Sequence, residues 1–160
     1  CRMADLSSFP RAAACVSWSK DGNAEGMCKG PADMDDFRMK FDSLEEQQED
    51  PDSIYNYVKQ VIRVRNQNPV IARGTTAYLE QYSGEQCFAL TRSYEGSNLL
   101  LLGNTSAEAV SVDLTGLTVG GTTAEELVLL GELYTGEETA ERAGTVVTLP
   151  AYSILILGEE

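Results

Sequence analysis

The sequence predicts a mainly β protein, an antiparallel Greek-key β-sandwich preceded by an irregular segment and one amphipathic α-helix. From Gly74 onward, short β-rich runs alternate with turn residues, which is typical of an antiparallel sandwich rather than of βαβ units. Residues 50–69 instead carry apolar side chains at helical spacing, and residues 1–42 show neither period.

The N-terminal segment, residues 1–42, is rich in Gly, Asp, Ala and Met and is predicted to be an irregular loop. Loops of this length are uncommon inside compact domains, so we expect that its packing partner is missing from this chain. The sequence also begins at Cys1 rather than Met, which suggests a piece of a longer polypeptide. A short helical turn is predicted from Ser43, because Ser43-Leu44-Glu45-Glu46 fits a capping box.

The predicted helix begins after Asp50, which supplies an N-cap acceptor, with Pro51 at the first helical position and an acid, Asp52, in the first turn. It ends before Pro69, because a residue that precedes proline avoids the α region. One apolar stripe on this helix is wide enough to need a partner surface. Its members are Ile54, Tyr57, Val58, Val61 and Ile62.

Seven strands are predicted after the helix, at residues 75–82, 87–94, 98–104, 109–113, 126–134, 145–149 and 152–157. Residues 99–102 and 154–157 are continuously apolar, which predicts central strands covered on both faces. Charge changes at the same point in the chain. Residues 1–73 hold 10 basic and 12 acidic side chains, whereas residues 74–160 hold 2 and 13, so a domain boundary is predicted near Arg73-Gly74.

Composition excludes several functions. The absence of histidine excludes a Ser/His/Asp or Cys/His nucleophilic site within this chain, and the formal charge of −13 disfavours nucleic acid and membrane surfaces as partners. No cofactor is predicted. The four cysteines are spaced too irregularly for a metal site or a disulfide framework, so free thiols and a reducing compartment, the cytoplasm, are favoured, with Cys87 as a small core residue.

Candidate chemical sites are few. Residues 21–26 resemble the start of a calcium loop, but Ala32 stands where the closing bidentate Glu is needed, so no metal site is predicted. No pair of carboxylates is forced into the facing arrangement that a glycosidase needs, so no catalytic residue is predicted. Tyr78 and Tyr82, four residues apart in a predicted strand, would share one face and either stack on a sugar or cover a core.

Three stretches in the expected order resemble the α-amylase family of glycoside hydrolases, and most nearly its oligo-1,6-glucosidase and α-glucosidase branch. Residues 50–69, DPDSIYNYVKQVIRVRNQNP, are similar to the last helix of the catalytic barrel. Residues 89–92, ALTR, and 99–106, LLLLGNTS, are similar to the second and third strands of the C-terminal sandwich. Residues 149–157, LPAYSILIL, resemble its closing strand.

This resemblance implies that residues 1–73 are the end of a catalytic (β/α)8 barrel, the last loop and helix, and that residues 74–160 are the C-terminal β-sandwich. The nucleophile and the acid/base of a retaining enzyme would then lie upstream of Cys1. The family loop often reads Arg-x-Pro-Met-x-Trp, with the Arg approaching the bound sugar. Trp18 matches the Trp, Ala13 stands at the Arg position, and Arg11 takes that role only through a two-residue insertion; Trp18 and Arg11 are the substrate-binding candidates.

The first functional hypothesis is a non-catalytic C-terminal fragment that stabilises the catalytic barrel of an enzyme acting on α-glucan oligosaccharides. Its partner would be the upstream barrel of the same polypeptide, with the apolar helix stripe buried against it. Isolated from that barrel, the stripe favours a homodimer or a helix folded back on the sandwich. The alternative is a free-standing β-sandwich module that binds α-glucans on its aromatic rings.

Overall fold

The computed structural model describes residues 18–20 and 42–159, and it divides the chain into two compact units, Cys1–Asn56 and Tyr57–Glu160. The units divide between Asn56 and Tyr57, within a helix, and the domain boundary near Arg73-Gly74 stays a prediction. No helix in the described ranges is long and apolar enough to cross a membrane.

The first helix, α1 (Leu44–Glu49), begins at the predicted capping box. The Ser43 hydroxyl accepts a hydrogen bond from the backbone N–H of Glu46, and the Glu46 carboxylate accepts one from the backbone N–H of Ser43 at 2.9 Å. These two bonds satisfy donors that a helix start otherwise leaves open.

The second helix, α2 (Ile54–Gln67), covers the predicted helical stretch but begins later than expected. The Asp50 carboxylate accepts a hydrogen bond from the backbone N–H of Asp52 in a turn before the helix. The helix start is capped by Ser53 instead, whose hydroxyl accepts a hydrogen bond from the backbone N–H of Asn56 at 3.2 Å. A short helix that the sequence did not predict, α3 (Pro69–Arg73), follows directly, because the fixed φ of proline suits a first helical position.

Ten strands follow in two main sheets and a hairpin, and every pair is antiparallel. The five-stranded sheet has the order β1-β2-β3-β10-β7 and the three-stranded sheet the order β4-β9-β8. The chain crosses between these sheets after β3, β7 and β9, and also between β4 and β7 through the hairpin β5–β6, in the Greek-key manner. The strands are β1 (Thr75–Tyr78), β2 (Cys87–Tyr94), β3 (Ser97–Asn104), β4 (Val110–Asp113), β5 (Thr118–Val119), β6 (Thr122–Thr123), β7 (Val128–Leu133), β8 (Glu141–Ala143), β9 (Val146–Leu149) and β10 (Ile154–Gly158).

The mainly β fold predicted from the sequence is therefore confirmed, and each of the seven predicted strands is present. The first is shorter than predicted, since β1 ends at Tyr78 and a 3₁₀ turn, Glu80–Tyr82, follows it. The hairpin β5–β6 and strand β8 were not predicted. The hairpin turns at Gly120 and Gly121, whose φ angles of 62° and 102° are both positive, as a two-residue type I′ turn requires.

The two central strands of the larger sheet bury both faces, as their continuous apolar runs predict. One face of β3 and β10 contributes Leu100, Leu102, Leu155 and Leu157 to the core between the two sheets. The opposite face contributes Leu99 and Ile156 to a second cluster, which also contains Leu133 and two helical residues, Val64 of α2 and Val70 of α3. The sandwich thus has an inner core and a second core under its helices.

Helix α2 lies close to strand β7 because that strand carries a glycine at the contact. A Cβ atom added at Gly131 would lie 2.9 Å from Cγ1 of Val64, which is closer than real side chains approach. Val64 is only 8% exposed. The Gln60 side chain also donates to the backbone carbonyl of Glu132 at 3.1 Å, so the helix is held on the sheet by both apolar and polar contacts.

Two polar side chains, the half-buried Arg92 and the buried Asn104, fix the connections around this sheet. The Arg92 guanidinium donates to the backbone carbonyls of Val70 at 3.1 Å and Gly74 at 2.6 Å, and so holds the junction between α3 and β1. Asn104, at the end of β3, donates to the carbonyls of Glu108 and Pro150 and accepts from Ser106. Every buried side-chain polar atom among the described residues has a hydrogen-bond partner.

Candidate functional site

The described segment around Trp18 is attached to the start of α1. The Trp18 carbonyl accepts the backbone N–H of Glu45 at 3.2 Å, and the Glu45 carboxylate accepts from the Ser19 hydroxyl and from the backbone N–H of Lys20. The indole itself is exposed. An aromatic ring presented on an anchored segment has the form of a ligand contact. Arg11, its predicted companion, lies outside the described residues, as do the calcium-like residues 21–26.

Tyr78 and Tyr82 do not form the shared aromatic face that the sequence suggested. The strand ends at Tyr78, and the 3₁₀ turn rotates Tyr82 into the core between the sheets, where its hydroxyl donates to the carbonyl of Thr115 at 3.2 Å. Tyr78 remains 56% exposed. One of the two rings therefore covers the core, and the other lies free on the surface.

A groove of about 870 Å³ opens beside Tyr78 in the second unit. Its walls come from the 3₁₀ turn on one side and from the start of β5 on the other, and its base is apolar. The lining residues are Tyr78, Leu79, Glu80, Gln81, Tyr82, Gly116, Leu117 and Thr118. Sequence reasoning found the tyrosines but missed Glu80, Gln81 and Thr118, because only the folded sheet brings the two segments together.

Helix α2 presents a second candidate surface. The predicted stripe is divided between two environments: Tyr57 and Val61 pack, with Val64, on the cluster under the helix, whereas Val58 and Ile62 are 46% and 52% exposed. Ile54, at the start of the same helix, is also exposed. We refer to Val58 and Ile62 as the outer face of α2.

Three carboxyl groups have pKa values held below their usual range, and in each case hydroxyl hydrogen bonds are the largest cause. These hydroxyls belong to Ser43 for Glu46, to Thr115 for Asp113 and to Thr123 for Glu126. A lowered pKa keeps a carboxylate ionised, which suits a turn or helix cap, whereas a general acid needs a raised pKa. Among the described residues, no group of three or more His, Cys, Asp or Glu side chains is placed to hold a metal ion.

Cys87 is a free thiol, half buried at the start of β2 and packed on the core between the sheets, in agreement with its predicted role as a small core residue.

Solved structures similar to this chain belong to enzymes of carbohydrate chemistry. Eubacterium rectale Amy13B is 37% identical with a TM-score of 0.79, over 91% of this chain and 27% of its own length. The trehalulose synthase MutB from Pseudomonas mesoacidophila MX-45 is 25% identical with a TM-score of 0.57, over 72% of this chain and 19% of its own. The α-amylase from H. orenii, at 21% identity and a TM-score of 0.62, shares the fold. No protein-family profile and no curated protein matches the sequence.

The fold and these likenesses define the class first: the chain is a helix-flanked β-sandwich that is similar to one portion of much longer proteins, and it spans about a quarter of the length of Amy13B. The family follows from the same comparisons. The chain belongs to the α-amylase family and corresponds to the C-terminal portion of such an enzyme, which confirms the family found in the sequence, whereas the oligo-1,6-glucosidase and α-glucosidase branch stays a prediction.

Proposed function

We propose that the chain is the non-catalytic C-terminal part of a retaining glycosidase that hydrolyses α-glucan oligosaccharides, and that it stabilises the catalytic barrel. The single observation that carries this proposal is the division of α2 into two apolar faces. One face packs on the sandwich through Val64, and the outer face, Val58 and Ile62, is exposed. Contiguous apolar surface of this kind is typical of an interface.

The upstream barrel of the same polypeptide is the proposed occupant of the outer face. The similar enzymes are several times longer than this chain, so each carries a large further portion to which a C-terminal part must attach. A helix with one apolar side on the sandwich and the other on the barrel would join the two without leaving apolar surface in water.

The relatives also support the substrate class. MutB is described in complex with sucrose and with glucose, and one similar structure is an α-amylase, so a glucose-containing saccharide is the natural expectation here. We assign the substrate contact of this portion to Trp18, with Arg11 as its companion.

The first test is the size of the native polypeptide in its source cells, detected with an antibody raised against this chain. A band larger than this chain by a barrel of about 250 residues or more would support the proposal. A band at the 17.4 kDa of the chain itself would contradict it and favour the free-standing module.

The second test compares two exposed valines in the native, barrel-containing protein. Val58→Ser on the outer face should lower the free energy of unfolding by about 1–2 kcal/mol, because the valine is buried only when the barrel covers it. Val146→Ser is the matched control, since Val146 is 37% exposed and lies in the three-stranded sheet rather than on α2. Equal effects of the two substitutions would refute barrel docking through this face.

The Trp18 assignment has its own experiment. Trp18→Ala in the native protein should raise KM for a maltooligosaccharide, with the thermal midpoint unchanged because the indole is exposed. An unchanged KM would remove Trp18 from the substrate contact while leaving barrel docking untouched.

In the isolated chain the uncovered outer face is expected to pair with a second copy. Light scattering should then show a dimer that Val58→Asp converts to monomer, because a buried charge without a partner is costly at an apolar interface. A monomeric wild-type chain at high concentration would show that this surface does not self-associate.

A further inference from the structure

The groove beside Tyr78 has walls that are fixed to each other, so it exists before any ligand binds. The Tyr82 hydroxyl, from the 3₁₀ turn, donates to the carbonyl of Thr115 at 3.2 Å, and Thr115 directly precedes Gly116 of the other wall. On its own side the turn is held by Ser83, whose hydroxyl donates to the Leu79 carbonyl at 2.8 Å and accepts the backbone N–H of Ala89 at 2.9 Å. A preformed groove lowers the entropic cost of binding.

The upper part of the groove combines one exposed aromatic ring with several unused polar groups. Tyr78 is 56% exposed, and Glu80, Gln81 and Thr118 line the same groove. Within the described part of the chain, these three polar side chains make no hydrogen bond to another residue. Together they offer an amide, a hydroxyl and a carboxylate, which supply both donors and acceptors.

We propose that this groove is an accessory binding site for a neutral oligosaccharide, with one sugar ring stacked on Tyr78. A pyranose ring has an apolar C–H face, which suits an aromatic ring, and a rim of hydroxyls, which suits mixed donors and acceptors. The groove volume of about 870 Å³ lies within the usual range of ligand sites.

The negative charge of the sandwich favours a neutral ligand over an anionic one. Residues 74–160 carry 2 basic against 13 acidic side chains, and Glu80 itself lines the groove. An anionic ligand, such as a phosphate ester or a uronic acid chain, would therefore approach an unfavourable field. The site is independent of the outer face of α2 and does not require the upstream barrel.

The experiment measures binding of maltoheptaose to the 160-residue chain by the chemical-shift changes of its tyrosine ring protons. Tyr78→Ala should weaken binding by about tenfold or more, and Tyr78→Phe should retain most of it, because stacking needs the ring rather than the hydroxyl. Tyr152→Ala is the matched control, since Tyr152 is similarly exposed, at 52%, and does not line the groove.

A second ligand tests the charge argument. An oligogalacturonate of similar length should bind more weakly than maltoheptaose. The proposal is overturned if the wild-type chain does not bind at millimolar sugar, if Tyr78→Ala binds as well as wild type, or if the uronate binds more tightly. None of these results bears on barrel docking, which the Val58 and Val146 comparison tests separately.

Discussion

The close approach of α2 to the sheet makes a quantitative prediction at Gly131. Gly131→Ala places a methyl group 2.9 Å from Cγ1 of Val64 and 3.5 Å from Cδ1 of Ile156, so the helix has to move or the side chains have to leave their rotamers. Overpacking of this kind costs about 1–3 kcal/mol. The loss of chain entropy in the unfolded state offsets about 0.4–1 kcal/mol of that cost. We expect a net destabilisation of about 0.5–2 kcal/mol.

The double-mutant cycle with Val64→Ala isolates this contact. Val64→Ala alone removes buried methyl groups under the helix and should cost about 2–3 kcal/mol. In the double variant the added methyl group of residue 131 occupies the space that the valine leaves. The stability lost by the double variant should therefore be smaller than the sum of the two single losses by about 1 kcal/mol or more. Urea unfolding followed by circular dichroism measures each term. If the two single losses of stability sum to that of the double variant within about 0.3 kcal/mol, the packing of Val64 on Gly131 is refuted.

Three further predictions concern polar groups in the second unit. Asn104→Ala removes the amide that donates to the carbonyls of Glu108, Leu149 and Pro150 and accepts from Ser106, and the loss of these bonds should lower the free energy of urea unfolding by about 3 kcal/mol. Arg92→Lys replaces a fork by a point charge that cannot serve the Val70 and Gly74 carbonyls together, and hydrogen exchange at the α3–β1 junction should accelerate. Burial and the Glu132 hydrogen bond raise the pKa of Tyr134 to about 12. Its stabilising contribution is therefore complete below pH 10 and lost as pH rises towards 12, and an ultraviolet titration should show a late-ionising tyrosine that Tyr134→Phe removes.

The strands were predictable because the local pattern carried the information. Continuous apolar runs at 99–102 and 154–157 indicate burial on both faces, and both runs lie in central strands. The end of β1 was not predictable in this way. Residues 75–82 are compatible with a strand throughout, and the turn after Tyr78 depends on hydrogen bonds to Ala89, which lies on the next strand.

In the candidate site, too, the features that depend on contacts between distant segments could not be predicted from the sequence. Trp18 and Tyr78 are both exposed, and the sugar contacts suggested for their rings stay predictions. The separation of Tyr78 from Tyr82 and the contribution of Thr118 depend on how distant segments meet. Val64 was left out of the predicted stripe although it lies three residues after Val61 and seven after Tyr57, at helical spacing. Only its contact with Gly131 depends on the strand pairing.

The position of β10 in the larger sheet has a consequence for how the chain folds. This strand comes after all the others in sequence, yet it lies in the interior between β3 and β7. Until Ile154–Gly158 has left the ribosome, both neighbours expose unpaired edges, which are prone to aggregation. A chain that ends shortly before Ile154 would lose the pairing of β7 as well as β10 itself, because β7 is joined to the sheet through β10. Strand β10 thus determines whether the strands before it form a stable domain or stay accessible to proteases.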